Sequence, residues 1–97
     1  MPIPPSISIT FNLADIDVCV PVIHLSNFAS STSYTIEQWY VDGGFEILRF
    51  PFTRDTNEDG AAVVYGYGES VSTQIQIRIQ VPSVGISYLS AWTTVAC

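Results

Sequence analysis

The amino-acid sequence predicts a single all-β domain, a sandwich of about seven antiparallel strands. Three observations carry that prediction. Ile7, Ile9, Phe11 and Leu13 alternate with Ser8, Thr10 and Asn12, and Ile75, Ile77, Ile79 and Val81 alternate with Gln74, Gln76, Arg78 and Gln80. A period of two is the mark of strands with one face buried. Turn residues interrupt this alternation at about the 8–12-residue spacing of a sandwich or barrel. No window places apolar residues at helical spacing.

The elements follow in order. Residues 1–5, with Pro2, Pro4 and Pro5, read as an extended Pro-rich arm of polyproline type. Residues 6–97 form the sandwich. Strands are expected at 6–13, 16–25, 34–41, 45–52, 62–67, 74–81 and 86–96. Turns are expected at Leu13–Asp15, Ser26–Ser33, Asp42–Gly44, Asp55–Gly60, Gly68–Ser70 and Pro82–Gly85. A three-residue Asp42-Gly43-Gly44 loop, with Gly44 in the left-handed bulge position, sets Val41 opposite Phe45, Trp39 opposite Ile47 and Glu37 opposite Arg49. It also sets Ile36 opposite Phe50 and Tyr34 opposite Phe52. This register pairs aromatics with aliphatics and acid with base, contacts that contribute about 0.2–1 kcal/mol each.

Seven strands in 97 residues match the immunoglobulin-like size class. The segment Tyr34–Gly44, with its Trp39 before an Asp-Gly-Gly turn, is followed by Tyr65-Gly66-Tyr67-Gly68 and the alternating 75–81 strand. These motifs, over about half the chain, resemble PKD-type and related immunoglobulin-like domains. The order of the turn residues and the segment 53–62 depart from that family's pattern. The resemblance implies a sandwich used for adhesion or assembly, with no catalytic residues to carry over.

Composition narrows the functions. The net charge is −6, charged residues make up 12% of the chain, and Arg49, Arg54 and Arg78 are its entire basic complement. Such a balance repels phosphate backbones and anionic lipid, so neither nucleic-acid binding nor membrane insertion is expected. Sheet edges are normally guarded by lysine and other charges. This chain has no lysine, so its edges must close on themselves or meet a neighbour. The opening residues carry neither a basic nor an apolar leader segment, and no signal peptide is expected. Cys19 and Cys97 can make one bridge or remain free thiols; the sequence leaves both open.

Candidate chemistry is sparse. Asp55, Asn57 and Asp59 followed by Gly60 imitate the start of a calcium loop. The bidentate glutamate expected at loop position 12 is instead Gly66, so calcium would need ligands from elsewhere, such as Glu69. The same residues are also ordinary turn formers. We expect no cofactor, calcium being the one cation these oxygens would suit. Cys19 and His24 lie five residues apart in one strand, hence on opposite faces, which separates them as a nucleophilic or zinc pair. Asp15 and Asp17 share a strand face with no cleft to serve. The aromatics stand out. Around Trp39-Tyr40 and Tyr65–Tyr67 both parities are aromatic, so at least one ring there must point outward. Trp39, Tyr40, Tyr65, Tyr67 and Trp92 are the candidate interface anchors.

These readings point away from an enzyme, since no convergent acid, base or nucleophile set exists, and favour a structural assembly protein, such as a small virion decoration or accessory coat subunit. Its partners would be proteins, in a larger assembly or a homo-oligomer, on a virion or extracellular surface. The alternative is an extracellular adhesive or carbohydrate-binding module that uses the same rings.

Overall fold

A computed structural model describes residues 3–81, 85 and 87–97. The predicted turn residues Pro82–Val84, and Met1 and Pro2 of the predicted arm, lie outside the described residues. The chain forms strands β1 (Ser6–Asp15), β2 (Val18–Ser26), β3 (Ser33–Asp42), β4 (Phe45–Leu48), β5 (Phe52–Asp55), β6 (Ala62–Tyr65), β7 (Glu69–Ser70), β8 (Gln74–Gln80), β9 (Ser87–Leu89) and β10 (Thr93–Thr94). They make two antiparallel sheets. In the first, β2 lies between β1 and the successive strands β6 and β7. In the second, β3 and β8 are central, flanked by β4 and β5 on one side and by β9 and β10 on the other.

The ten strands among the described residues occupy seven positions, because β4 with β5, β6 with β7, and β9 with β10 each share one neighbour. This is the expected sandwich of about seven antiparallel strands, with three of the seven broken in two. Ile23 and Leu25 of β2 and Val64 of β6 meet Tyr34 and Ile36 of β3 and Ile77 and Ile79 of β8 in the main core. Each aliphatic side chain fully buried there contributes about 1.5–3 kcal/mol. Phe28 closes the core at one end, packed edge-to-face on Tyr34 and Tyr88 at 5.1 and 5.3 Å. At the other end Cys19, Ile75 and Val95 form a second cluster. There Cys19 and Cys97 are joined as a disulfide, which answers the question the sequence left open. Among the described residues no helix is long and apolar enough to cross a membrane.

The β3–β4 hairpin differs from expectation. Its loop has two residues, Gly43 and Gly44, at φ 59° and 83°. The observed partners are Asp42 with Phe45, Val41 with Glu46, Tyr40 with Ile47 and Trp39 with Leu48. Two glycines with positive φ supply the turn whose twist matches the flanking strands, so no third loop residue is needed. The one-residue change turns every β4 side chain to the other face. Between β4 and β5 the chain leaves the ladder, and β5 resumes with Ile36 opposite Phe52 and Tyr34 opposite Arg54. Glu37 therefore never meets Arg49; it stands opposite Arg78 of β8.

The first turn is also displaced. Strand β1 continues to Asp15, past the expected break at residue 13, and the chain reverses at Ile16-Asp17. Asp17 has φ 57°, a conformation that Asp tolerates better than most residues. Asp15 and Asp17 thus sit in a tight turn and do not share a strand face.

An aromatic cleft between the two sheets as candidate functional site

The edge strand β5 of one sheet lies beside β6 of the other. Between them opens a cleft of about 150 Å³ lined by Phe52, Arg54, Tyr65, Gly66 and Tyr67. Phe52 projects inward opposite Ile36 and packs against the main core. Its ring meets that of Tyr67 edge-to-face at 5.9 Å, and the Arg54 guanidinium lies 5.0 Å over it. The Tyr67 hydroxyl donates to the Phe50 carbonyl at 2.8 Å, tying the rim to the β4–β5 break. Two rings here stand furthest into solvent: Tyr65 is 63% exposed and Phe50 85%.

A buried amide holds this arrangement. Gln38 occupies an inward position of β3 and is fully buried. Its carboxamide accepts from the Tyr67 amide at 2.8 Å and donates to the Tyr67 carbonyl at 3.0 Å. The same nitrogen lies 2.8 Å from Oε2 of Glu69, which is itself only 3% exposed. Glu69 receives two further bonds from Arg49, to Oε2 at 3.2 Å and to Oε1 at 2.6 Å. The Arg49 guanidinium lies 4.0 Å over the Tyr40 ring. The hydrogen bond to Glu69 raises the Arg49 pKa above its ordinary value, with burial opposing, so Arg49 remains cationic. This cluster borders a second, more polar cleft of about 230 Å³ that also includes Asp42 and Thr73. Its buried charge is already satisfied, which leaves the first cleft as the better ligand-facing surface.

Gly66 permits the close packing behind Tyr65 and Tyr67. Its amide donates to the Pro21 carbonyl at 2.9 Å, and a Cβ there would overlap Oε1 of Gln38 and stand 2.9 Å from Cγ of Pro21. Gly66→Ala is expected to displace the carboxamide and cost about 1–3 kcal/mol of stability. Urea denaturation of the variant beside the parent checks this. An unchanged midpoint would show that the packing is slack.

Of the five predicted anchors, the fold brings together Tyr65 and Tyr67. Trp39 points outward from the second sheet, where the Arg78 guanidinium covers its ring at 4.2 Å and its Nε1 donates to Glu37. Tyr40 turns inward against the Cys19 cluster. Trp92, 38% exposed, precedes β10 on the opposite border of that sheet. Phe50, Phe52 and Arg54 were not anticipated as site residues. Their mutual approach depends on the β4–β5 break, which the alternation of 45–52 does not reveal.

The Asp55–Gly60 segment works as a turn. Asn57 Oδ1 accepts from the amides of Asp59 and Ala61 at 2.9 and 3.0 Å. The Asn57 carbonyl accepts from Ser31, and the Gly60 carbonyl from Phe28, so the loop is stitched to the one after β2. Among the described residues no group of three or more His, Cys, Asp or Glu side chains is placed to hold a metal. Cys19 faces the core and His24 the outer surface, where it meets Thr10 at 3.2 Å.

The fold and cleft define a small all-β sandwich with an open aromatic side. Compared with known proteins, the chain matches no family model, no curated protein and no solved structure.

Proposed function

We propose that this chain is a non-enzymatic assembly subunit, a small virion decoration or accessory coat protein, that attaches to a protein surface through its aromatic side. The observation that carries the reading is the cleft between β5 and β6, with Phe50 and Tyr65 exposed beside the fixed pair Phe52 and Tyr67. Exposed rings backed by rigid, packed neighbours lose little entropy on docking and are typical interface anchors. Arg54 adds a planar donor at the same place. The disulfide supports a virion or extracellular surface, since such bonds persist outside reducing compartments. Tyr65 also favours a second reading, because an open ring face can stack on a sugar.

The Phe50→Ala/Tyr65→Ala double variant tests both readings. Both side chains are exposed, so the melting temperature should hold. In pull-downs from purified particles or a cell-surface fraction, retention of the partner should fall about tenfold or more, from roughly 1–2 kcal/mol per anchor. Glycan-array binding by the parent, lost in the double variant, would instead establish the carbohydrate reading. A double variant that retained its protein partner as well as the parent does would refute attachment through this side.

A further inference from the structure

We propose that two copies of this chain join edge to edge through β1, in antiparallel register about Thr10, to make one continuous sheet. Among the described residues β1 pairs only with β2, so its other edge presents free backbone donors and acceptors along ten residues, Ser6–Asp15, roughly 33 Å. The other outer strands are two to four residues long, and short edges are poor templates for pairing. A long edge is normally guarded by charge, an internal proline or a bulge. Between Ser6 and Ala14 there is no charge and no proline, and the ladder with β2 is regular as far as Leu13.

The pattern along β1 selects a second copy as the occupant. With Thr10 opposite Thr10, Ile9 meets Phe11, Ile7 meets Leu13 and Ser8 meets Asn12. The apolar row of each copy then continues the apolar row of the other, and the hydroxyl-bearing rows meet on the outer face. A slip of one residue would set the apolar row against the polar one, with Phe11 opposite Thr10, Ile9 opposite Asn12 and Leu13 opposite Ser8. In the single chain this inner row is incompletely covered. Ile7, Ile9 and Phe11 are half-buried, and Leu13 is 70% exposed. Antiparallel pairing brings each Leu13 beside the other copy's Ile7. No like charges face one another across the seam, while the net charge of −6 on each copy opposes association at a distance. Added salt should therefore tighten the dimer.

The test is sedimentation equilibrium across a concentration series at low and high salt. The parent is expected to form a dimer that strengthens with salt. Thr10→Lys, at an exposed position, sets two ammonium groups against each other at the axis and should weaken the dimer roughly tenfold or more. Its far-UV spectrum should match that of the parent measured as a monomer, and its melting should fall by no more than a few degrees, from the exposed Thr10–His24 contact it gives up. Thr10→Cys should crosslink between copies under mild oxidation, and Ser6→Cys should not. A parent that stays monomeric throughout, a dimer indifferent to Thr10→Lys, or crosslinking through Ser6 in preference to Thr10 would each overturn the proposal. The experiment needs no partner bound at the aromatic cleft, so its outcome is separate from the attachment reading.

Discussion

Reduction of the Cys19–Cys97 bridge is expected to lower stability by about 2–4 kcal/mol and the melting temperature by roughly 10–25 °C. The bond joins residues 78 apart in sequence. A loop of that length gives a chain-entropy estimate of about 4.5 kcal/mol, which measured bridges seldom reach. The local structure points the same way. Strand β10 holds β8 through two register pairs, Thr93 with Ile75 and Thr94 with Gln74. Val95 is fully buried beside Cys19 and Ile75, secured by backbone bonds with Ser72 and Thr73. Without the bridge, this two-residue strand and its flank must hold the chain end alone. Fraying would then uncover the second core cluster. Thermal melts with and without a phosphine reductant measure the total effect, and amide exchange at Ile75 and Val95 locates it. A reduced protein melting within about 3 °C of the oxidised form would show that the terminus is held by packing alone.

How far this architecture can be read from residues depends on the range of the interaction. Period-two alternation is local, and it marks the strands with the cleanest alternation, such as Ile75-Gln76-Ile77; the last strand is read from its β-forming residues, and β7 (Glu69–Ser70) falls where a turn is expected. The breaks within β4–β5 and β9–β10 come from tertiary packing. Ser90 ends β9, for example, by accepting the Ile77 amide on its hydroxyl at 2.9 Å. Side-chain pairing alone favours the three-residue register, but Gly43-Gly44 supplies two residues suited to positive φ, and that turn chemistry sets the hairpin. Gln38 is a legible clue to a buried polar contact. It sits on the inward parity with Tyr34, Ile36 and Tyr40, where an amide must find buried partners. Those partners, Tyr67 and Glu69, lie about thirty residues downstream, beyond the reach of any local pattern. The same holds for the Phe50, Phe52 and Tyr67 contacts that shape the cleft.

The buried cluster behind the cleft should couple stability to attachment, and its two charged members should respond unequally. Arg49→Met is expected to cost roughly 2–4 kcal/mol, more than Glu69→Gln. The Arg49 side chain is 36% exposed and that of Glu69 only 2%. A guanidinium deprived of its partner can turn toward water, whereas a carboxylate deprived of Arg49 keeps only the Gln38 donor inside the protein. Partial exposure of Arg49 holds the figure below the full cost of breaking a wholly buried pair. Because the residues are in contact, the Arg49→Met/Glu69→Gln double variant should be more stable than the sum of the single costs predicts. A looser Glu69 also releases Gln38, which grips both backbone groups of Tyr67. Arg49→Met should therefore weaken partner retention even under conditions where the variant is fully folded, although Arg49 lies outside the cleft lining. Chemical denaturation gives the three stabilities, and pull-downs below the unfolding transition give the retention. Equal costs for the two single variants, or undiminished retention by folded Arg49→Met, would show that the cluster secures the sandwich without setting the aromatic surface.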